Sequence, residues 1–168
     1  LAAPLAVALN ARGDLAVADS GNHRVLIFAA SSLVSDAPAA AAVLGQSTFS
    51  EATPGAGAGG LKGPSGLAFD AAGRLYVADT GTNRVLQFQT IATGAVPTRL
   101  FGGNPDSAPQ GPQTLLRPAG VAIAGDDLYV ADTGNHRLLR FSNVNRPEAR
   151  PVADAIFGQL GFSAVLPN

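Results

Sequence analysis

The sequence predicts an all-β fold made of three similar units in tandem, and two internal repeats carry this prediction. The run at 15–28 returns with few changes at 75–88 and again at 128–141. Its aspartates are separated by 60 and then by 53 residues, and they are Asp19, Asp79 and Asp132. A second run, centred on a glycine, recurs at nearly the same spacing, and its glycines are Gly45, Gly102 and Gly158. Any fold assigned to the chain has to accommodate this period.

Each unit contains four short apolar runs, which we name strands a to d. Strand a is rich in small residues and follows a proline, which is Pro4, Pro64 or Pro118. Strand b ends at the recurring aspartate, and strand c is the run at 25–28 and its equivalents. Strand d is the apolar pair at 43–44, 100–101 and 156–157. Gly, Pro and Asp interrupt these runs too often for helices of ordinary length, so strands are predicted.

The strand pattern indicates sheets that are covered on both faces. Strands a and b are apolar at successive positions, as expected when sheets stack face to face. Repeats of about 50 residues with four strands each are typical of β-propellers, whose sheets are called blades. We predict one propeller segment over 1–168, built of four-stranded antiparallel blades at 4–63, 64–117 and 118–168.

One position of strand c is expected to face solvent. It is occupied by an apolar, a polar and a charged residue in the three units, namely Ile27, Gln87 and Arg140. Such variation is more typical of a surface position than of a core position.

Three blades cannot close a ring, because closed propellers need roughly 4–8 blades. If each blade takes about 60° of a six-bladed circle, the chain forms half a ring whose first and last blades expose apolar faces. A second copy, in a homodimer, or further blades of a longer parent chain are expected to supply the missing half. The chain contains no methionine, which favours a processed chain or a piece of a longer one.

Composition excludes several classes of partner and chemistry. Eleven Lys and Arg against twelve Asp and Glu give a net charge of −1, which provides no positive field for nucleic acid or an anionic membrane. The absence of cysteine excludes disulfides and thiolate catalysis. No apolar stretch approaches the roughly 20 residues that span a bilayer. We therefore expect neither a nucleic-acid nor a membrane partner.

The repeated pattern P-x-G-[VL]-A-x-D-x-x-G-x-L-Y-V-A-D-T-G-x-x-R-V-x-x-F resembles the NHL repeat, a β-propeller blade. The similarity is strongest at 64–88 and 118–141, whereas the first copy departs from the pattern at Ala6 and Ala16. NHL repeats occur in animal RNA-binding and ubiquitin-ligase proteins, in bacterial extracellular proteins and in peptide-amidating lyases. The Val-Leu-Gly-Gln marker with alanine-rich spacers is similar to bacterial, often exported members, which favours an extracellular or periplasmic location. The resemblance implies three NHL-type blades and leaves the function open.

The turn between strands b and c carries a polar constellation that recurs in all three units. Asp and Asn accept hydrogen bonds from turn amides, Gly allows backbone angles that other residues resist, and Arg can bridge to the aspartate or to a neighbouring blade. We predict a structural role for Asp19, Arg24, Asp79, Arg84, Asp132 and Arg137. The resemblance implies that these turns lie on the face most often used for binding. The possible ligand-facing residues are Asn22, His23, Asn83, Asn135 and His136.

No metal, cofactor or catalytic site is predicted within the chain. Zinc generally takes three or four protein ligands, but the two histidines lie in non-adjacent units and the second unit has Asn83 at their position. The glycine run at 55–60 has the spacing of a dinucleotide loop but leads into another strand instead of opening a helix.

Two long connections, 46–63 and 103–117, exceed the usual loop length of about 4–6 residues and are candidate binding loops. We predict a non-catalytic binding or scaffold module that presents loops of one face to a protein, peptide or glycan partner. The alternative is a fragment of an NHL-propeller enzyme, of lyase or lactonase type, whose catalytic or metal residues lie in missing blades or another subunit. The apolar Ala, Val, Leu and Ile residues of strand a favour the first interpretation.

Overall fold

The chain folds as three four-stranded antiparallel sheets. The computed structural model describes residues 1–103, 109–145 and 152–164, and these residues contain twelve β-strands and no α-helix. Blade 1 consists of β1 (Pro4–Leu9), β2 (Leu15–Asp19), β3 (Arg24–Phe28) and β4 (Ala42–Leu44). Blade 2 consists of β5 (Pro64–Phe69), β6 (Leu75–Asp79), β7 (Arg84–Phe88) and β8 (Arg99–Gly102). Blade 3 consists of β9 (Gly120–Ala124), β10 (Asp127–Asp132), β11 (Arg137–Phe141) and β12 (Ala155–Phe157).

Within each blade, strands pair in chain order, and every pair is antiparallel. The predicted all-β fold of four-stranded antiparallel blades is therefore confirmed. None of the described residues belongs to a helix long and apolar enough to cross a membrane.

The turns between the first two strands of blades 1 and 2 are closed by a side chain. The Asn10 Oδ1 atom accepts hydrogen bonds from the backbone N–H groups of Arg12 and Asp14, at 2.9 and 3.0 Å. Asp70 Oδ1 accepts the equivalent bonds at 3.0 and 2.9 Å. This local side-chain-to-backbone bonding is why Asn and Asp favour such turns, and it fixes the hairpin register.

Adjacent blades meet through faces of different size at their first strands. Strand β1 directs its small residues Ala6 and Ala8 toward blade 2, where Leu67 and Phe69 of β5 pack into the same apolar cluster. Strand β5 in turn places Gly66 against the backbone of β9, where a Cβ atom would come within 2.6 Å of the Ala119 carbonyl oxygen. Each seam therefore joins small residues on the first strand of one blade to large apolar residues on the first strand of the next.

The prediction that one position of strand c faces solvent is wrong for two of its three residues. Ile27 is 6% exposed and Gln87 is 4% exposed, because this position points toward the following blade. Gln87 tolerates burial because its Nε2 atom donates to the Tyr76 hydroxyl at 2.6 Å. Its Oε1 atom accepts a hydrogen bond from Thr98 at 3.2 Å. Arg140 lies on the last blade and pairs with Asp154 at 3.1 Å.

In each of the two outer blades, the first strand has one uncovered face. On blade 1, the large residues of β1 that point away from blade 2 are exposed: Leu5, Val7 and Leu9 are 65%, 66% and 62% exposed. Leu67, at the position of Val7 in blade 2, is 8% exposed because blade 1 covers it. On blade 3, the small residues of β9 form the uncovered face.

Candidate functional site

The turn between the second and third strands is built around a buried ion pair in every blade. The aspartate that ends the second strand is fully buried in all three blades. One of its carboxylate oxygens accepts a hydrogen bond from the Nε atom of the arginine five residues later. The distances are 2.7 Å for Asp19–Arg24, 2.9 Å for Asp79–Arg84 and 2.7 Å for Asp132–Arg137.

The other oxygen of each aspartate fixes the chain that enters the first strand of the same blade. It accepts the backbone N–H of Ala2, Lys62 or Leu116, at 2.6, 2.6 and 2.7 Å. Burial raises the pKa of Asp19, but its hydrogen bonds from Ala2, Asn22 and Arg24 outweigh this effect, so the pKa lies below its ordinary value. The carboxylate thus stays ionised and ties the turn to the incoming strand.

The arginines also hold the long connections against the blades. Arg24 donates to the Phe49 carbonyl, and Arg84 donates to the Gly60 carbonyl at 2.5 Å. Arg137 donates to the carbonyls of Gly111 and Thr114, at 3.0 and 2.8 Å. Since each guanidinium donates to an aspartate and to a loop carbonyl at the same time, these arginines fix the long connections to the turns.

The residue before each arginine adopts a left-handed backbone conformation, and in blades 1 and 2 it contacts the next blade. The φ angles are 54°, 57° and 53° for His23, Asn83 and His136. His23 Nδ1 accepts the backbone N–H of Gly63 at 3.1 Å, and Asn83 Oδ1 accepts that of Arg117 at 2.8 Å. A histidine in one turn and an asparagine in another therefore make the same bond between blades.

The five predicted ligand-facing residues occupy different environments. Asn22 and Asn135 donate to the aspartates of their own turns, at 2.9 and 2.8 Å. Asn135 and Asn83 are 1% and 5% exposed, and His23 is half-buried. His136 is the exposed member of the set.

A polar cleft of about 430 Å³ opens where the turns of blades 1 and 2 meet the entries to blades 2 and 3. His23, Thr80, Asn83 and two exposed cations, Lys62 and Arg117, line it together with two glycines. Within the described part of the chain, neither cation is paired with a carboxylate. The cleft is therefore a local positive site on a chain whose net charge is −1.

Lys62 and Arg117 were not among the residues that the sequence predicted to face a ligand. They precede Pro64 and Pro118 by two and one residues, so they fall at different positions of the repeat. They could have been found from the topology. The first two strands of a blade are antiparallel, so the residues that precede the first strand lie beside the turn that follows the second strand.

The long connection at 46–63 borders a second, wider cleft of about 620 Å³, lined mainly by glycine and alanine. Gln46 anchors the start of this connection by donating to the carbonyls of His23 and Thr53, at 3.2 and 2.6 Å. Within the other candidate loop, 103–117, residues 104–108 lie outside the described residues. Across the three described ranges, no group of three or more His, Cys, Asp or Glu residues is placed to hold a metal ion.

The family model of the NHL repeat matches the chain three times, at residues 1–28, 61–88 and 115–141. Each match covers the first three strands of a blade and the ion-paired turn. No curated protein sequence matches the chain.

Solved structures share the fold at low sequence identity. Hydrazine synthase from Kuenenia stuttgartiensis is 14% identical with a TM-score of 0.63, and the match covers 97% of this chain and 38% of that one. Virginiamycin B lyase from Staphylococcus aureus is 17% identical with a TM-score of 0.53, covering 85% and 39%. A streptogramin B lyase is 12% identical with a TM-score of 0.55, covering 85% and 38%.

The chain thus spans about two fifths of the length of these structures. At such identities the similarity concerns the fold and not the activity. The three matched repeats and the three ion-paired blades show that the chain belongs to the NHL-repeat family of β-propellers.

Proposed function

We propose that the chain is a non-catalytic binding module whose polar cleft takes a carboxylate-bearing segment of a protein partner. The observation that carries this proposal is the pair of exposed cations, Lys62 and Arg117, at the rim of a preformed cleft, where neither is paired with a carboxylate of the described residues. A guanidinium can bind a carboxylate through two parallel hydrogen bonds, and an ammonium adds a mobile point charge.

The cleft is held in shape by bonds that do not depend on a ligand. The N–H of Gly63 binds His23, and the N–H of Arg117 binds Asn83, so both cations extend from fixed backbone. Thr80 Oγ1 donates to the Pro118 carbonyl at 2.7 Å across the seam between blades 2 and 3. Preorganisation of this kind reduces the ordering cost of binding.

The histidine at the cleft supports a ligand that accepts hydrogen bonds. Because His23 Nδ1 accepts the Gly63 N–H, the neutral ring carries its proton on Nε2. The imidazole therefore offers a donor in addition to the two cations. A carboxylate is the common side-chain group that can use all three donors.

Binding is better supported than catalysis because the acids near the cleft are already engaged. The Asp79 carboxylate is fully buried and accepts bonds from Arg84, Thr82 and the Lys62 backbone, at 2.9, 2.5 and 2.6 Å. It is thus placed as an anchor and not as a general base that contacts a substrate.

Fluorescence anisotropy with a labelled octaglutamate peptide tests the proposal. Arg117→Gln and Lys62→Gln should each weaken binding by roughly threefold to tenfold, as expected for loss of one charged contact. Arg12→Gln is the matched control, because this side chain is 81% exposed and lies outside the cleft, yet its loss changes the net charge equally. Equal weakening by all three variants would show a nonspecific charge effect and contradict the proposal.

The enzymatic alternative rests on the similarity to the two lyase structures, which concerns the fold. Lyase activity of this chain on a streptogramin B would overturn the non-catalytic assignment. Binding of a neutral oligosaccharide that is insensitive to Arg117→Gln would instead favour a glycan ligand at another site.

A further inference from the structure

We propose that two copies of this chain close into one six-bladed ring, in which blade 3 of each copy packs on blade 1 of the other. This inference is independent of the proposed function, because the polar cleft lies between blades of a single chain. Two of its supporting features, side-chain size and hydrogen bonding, are common to both described seams, and a third, a close glycine contact, belongs to the seam between blades 2 and 3. Each uncovered face carries one half of these features.

The first feature is the size of the facing side chains. In the described seams, small residues of one first strand face large apolar residues of the next, as Ala6 and Ala8 face the cluster that holds Leu67 and Phe69. The uncovered face of β1 carries the large set, Leu5, Val7 and Leu9. The uncovered face of β9 carries the small set, Gly120, Ala122 and Ala124.

The second feature is a glycine that allows close approach of strands. A Cβ atom on Gly66 would meet the Ala119 carbonyl oxygen at 2.6 Å and the Gly120 Cα atom at 3.0 Å, because β9 lies directly against it. At the equivalent Gly120, the one atom of the described residues that a Cβ atom would approach within 4 Å is the Ala131 Cβ atom of its own blade, at 3.6 Å. Gly120 thus leaves room for another first strand.

The third feature is a pair of hydrogen bonds that cross each seam. The turn residue His23 or Asn83 accepts an N–H from the residue just before the next blade's proline. The hydroxyl of Ser20 or Thr80 donates to the carbonyl of that proline, which for Thr80 is Pro118 at 2.7 Å.

The equivalent groups of blades 3 and 1 lie in the third turn and just before the first strand, and the Thr133 hydroxyl there makes a long bond of 3.4 Å to the Ala131 carbonyl. His136 and Thr133 are exposed on the third turn. Ala3 precedes Pro4 and has a φ angle of 45°, close to the 62° of Gly63 and the 49° of Arg117, which donate in the described seams. The Ala3 N–H is therefore set to donate to His136 Nδ1 of a second copy, and the Pro4 carbonyl is set to accept from Thr133.

A second copy is the occupant that satisfies both faces together. Each chain carries one face of each kind, so a two-fold axis forms two identical seams and leaves no apolar blade face uncovered. A closed pair also avoids the open-ended stacking that a head-to-tail contact otherwise generates.

Light scattering on the purified chain and two variants tests the pairing. The unmodified chain should have twice the 16.8 kDa of a single chain. Val7→Glu places a charge in the seam, and Gly120→Leu fills the space for the facing strand, so each should reduce the mass to that of one chain with an unchanged circular dichroism spectrum. Val34→Glu is the matched control at a side chain that is 91% exposed on a loop, and it should remain dimeric. A monomeric unmodified chain, or dimers that persist in both seam variants, would overturn the proposal.

Engineered disulfides locate the seam, because the chain has no cysteine of its own. The pair Ala3→Cys and His136→Cys should give a covalent dimer under mild oxidation. The pair His23→Cys and Gly63→Cys is the internal reference and should close within one chain. The proposed seam would be contradicted if the reference disulfide forms while the Ala3→Cys, His136→Cys variant stays a reduced monomer. If the reference disulfide does not form either, the solution mass of the Gly120→Leu variant tests the seam instead.

Discussion

The first and third turns contain the same four residues, Gly-Asn-His-Arg, but their histidines meet different surroundings. His23 and His136 have φ angles of 54° and 53°, so the identical local sequence produces the same backbone. His23 binds the Gly63 N–H across a seam, whereas His136 is exposed at the end of the last blade. The comparison shows that the turn is built locally and that its use depends on what the next blade supplies.

The largest expected effect comes from breaking the buried ion pair that all turns share. Asp79→Ala should lower the free energy of unfolding by about 3–5 kcal/mol, because Arg84 would keep its charge in a nearly buried site without a partner. Urea denaturation measures the loss. Asp14→Ala removes a half-buried carboxylate that pairs with the exposed Arg12 and accepts hydrogen bonds from Asn10 and the Ala30 N–H, and it should cost less because Arg12 stays in solvent; equal losses would contradict a special role for the turn.

The covered and uncovered blade faces should differ almost as strongly. Leu86→Ala removes a fully buried side chain between blades 1 and 2 and should cost about 2–5 kcal/mol. Leu9→Ala, at a side chain 62% exposed, should cost less than about 0.5 kcal/mol in a monomeric background such as Val7→Glu. Thermal or urea unfolding of both variants in that background measures the two losses of stability. Equal losses would mean that Leu9 is already covered within one chain.

The two histidines provide a finer comparison. In the Val7→Glu background, His23→Ala should cost about 1 kcal/mol more than His136→Ala, because only the first change leaves the Gly63 N–H without its acceptor. The left-handed backbone penalises alanine equally at both positions, so it cancels. His23→Asn should restore most of the loss, since Asn83 makes the same bond in blade 2. If His23→Asn does not restore stability, the His23 imidazole stabilises the fold by packing and not through this hydrogen bond.

The smallest expected effect is the loss of stability at low pH that comes from protonation of Asp19. The hydrogen bonds of Asp19 outweigh burial and keep its pKa below the ordinary value of about 3.9. Its contribution to stability is therefore complete above that value and is lost as the pH falls through the lower, folded-state pKa. Asp19→Asn should be less stable near neutrality and should lose less stability on acidification, as urea titrations at several pH values would show. A pH profile parallel to that of the unmodified chain would contradict this.

The repeat made the fold predictable, since the tandem segments and their punctuation indicate twelve short strands and a four-stranded blade. The exposure of single positions was not predictable in the same way. Ile27 and Gln87 looked like surface positions because their polarity varies, but a buried hydrogen-bond network allows a polar residue in the seam. Variation between repeats therefore does not distinguish solvent from a neighbouring blade.

The candidate site was predicted only in part. The recurring Asp and Arg residues were visible because they repeat, and so was the turn that carries them. Lys62 and Arg117 do not repeat, and they reach the cleft because the chain enters each blade beside the preceding blade's turn. A site assembled from unlike residues at a seam leaves no periodic signal in one sequence.

The central claim is that the exposed third turn of one copy packs against the exposed first strand, β1, of a second copy. The solution mass of the unmodified chain tests this claim most directly. Light scattering at high protein concentration should give twice 16.8 kDa, with the Val7→Glu variant at half that value. A single-chain mass for the unmodified protein at the same concentration would contradict the claim.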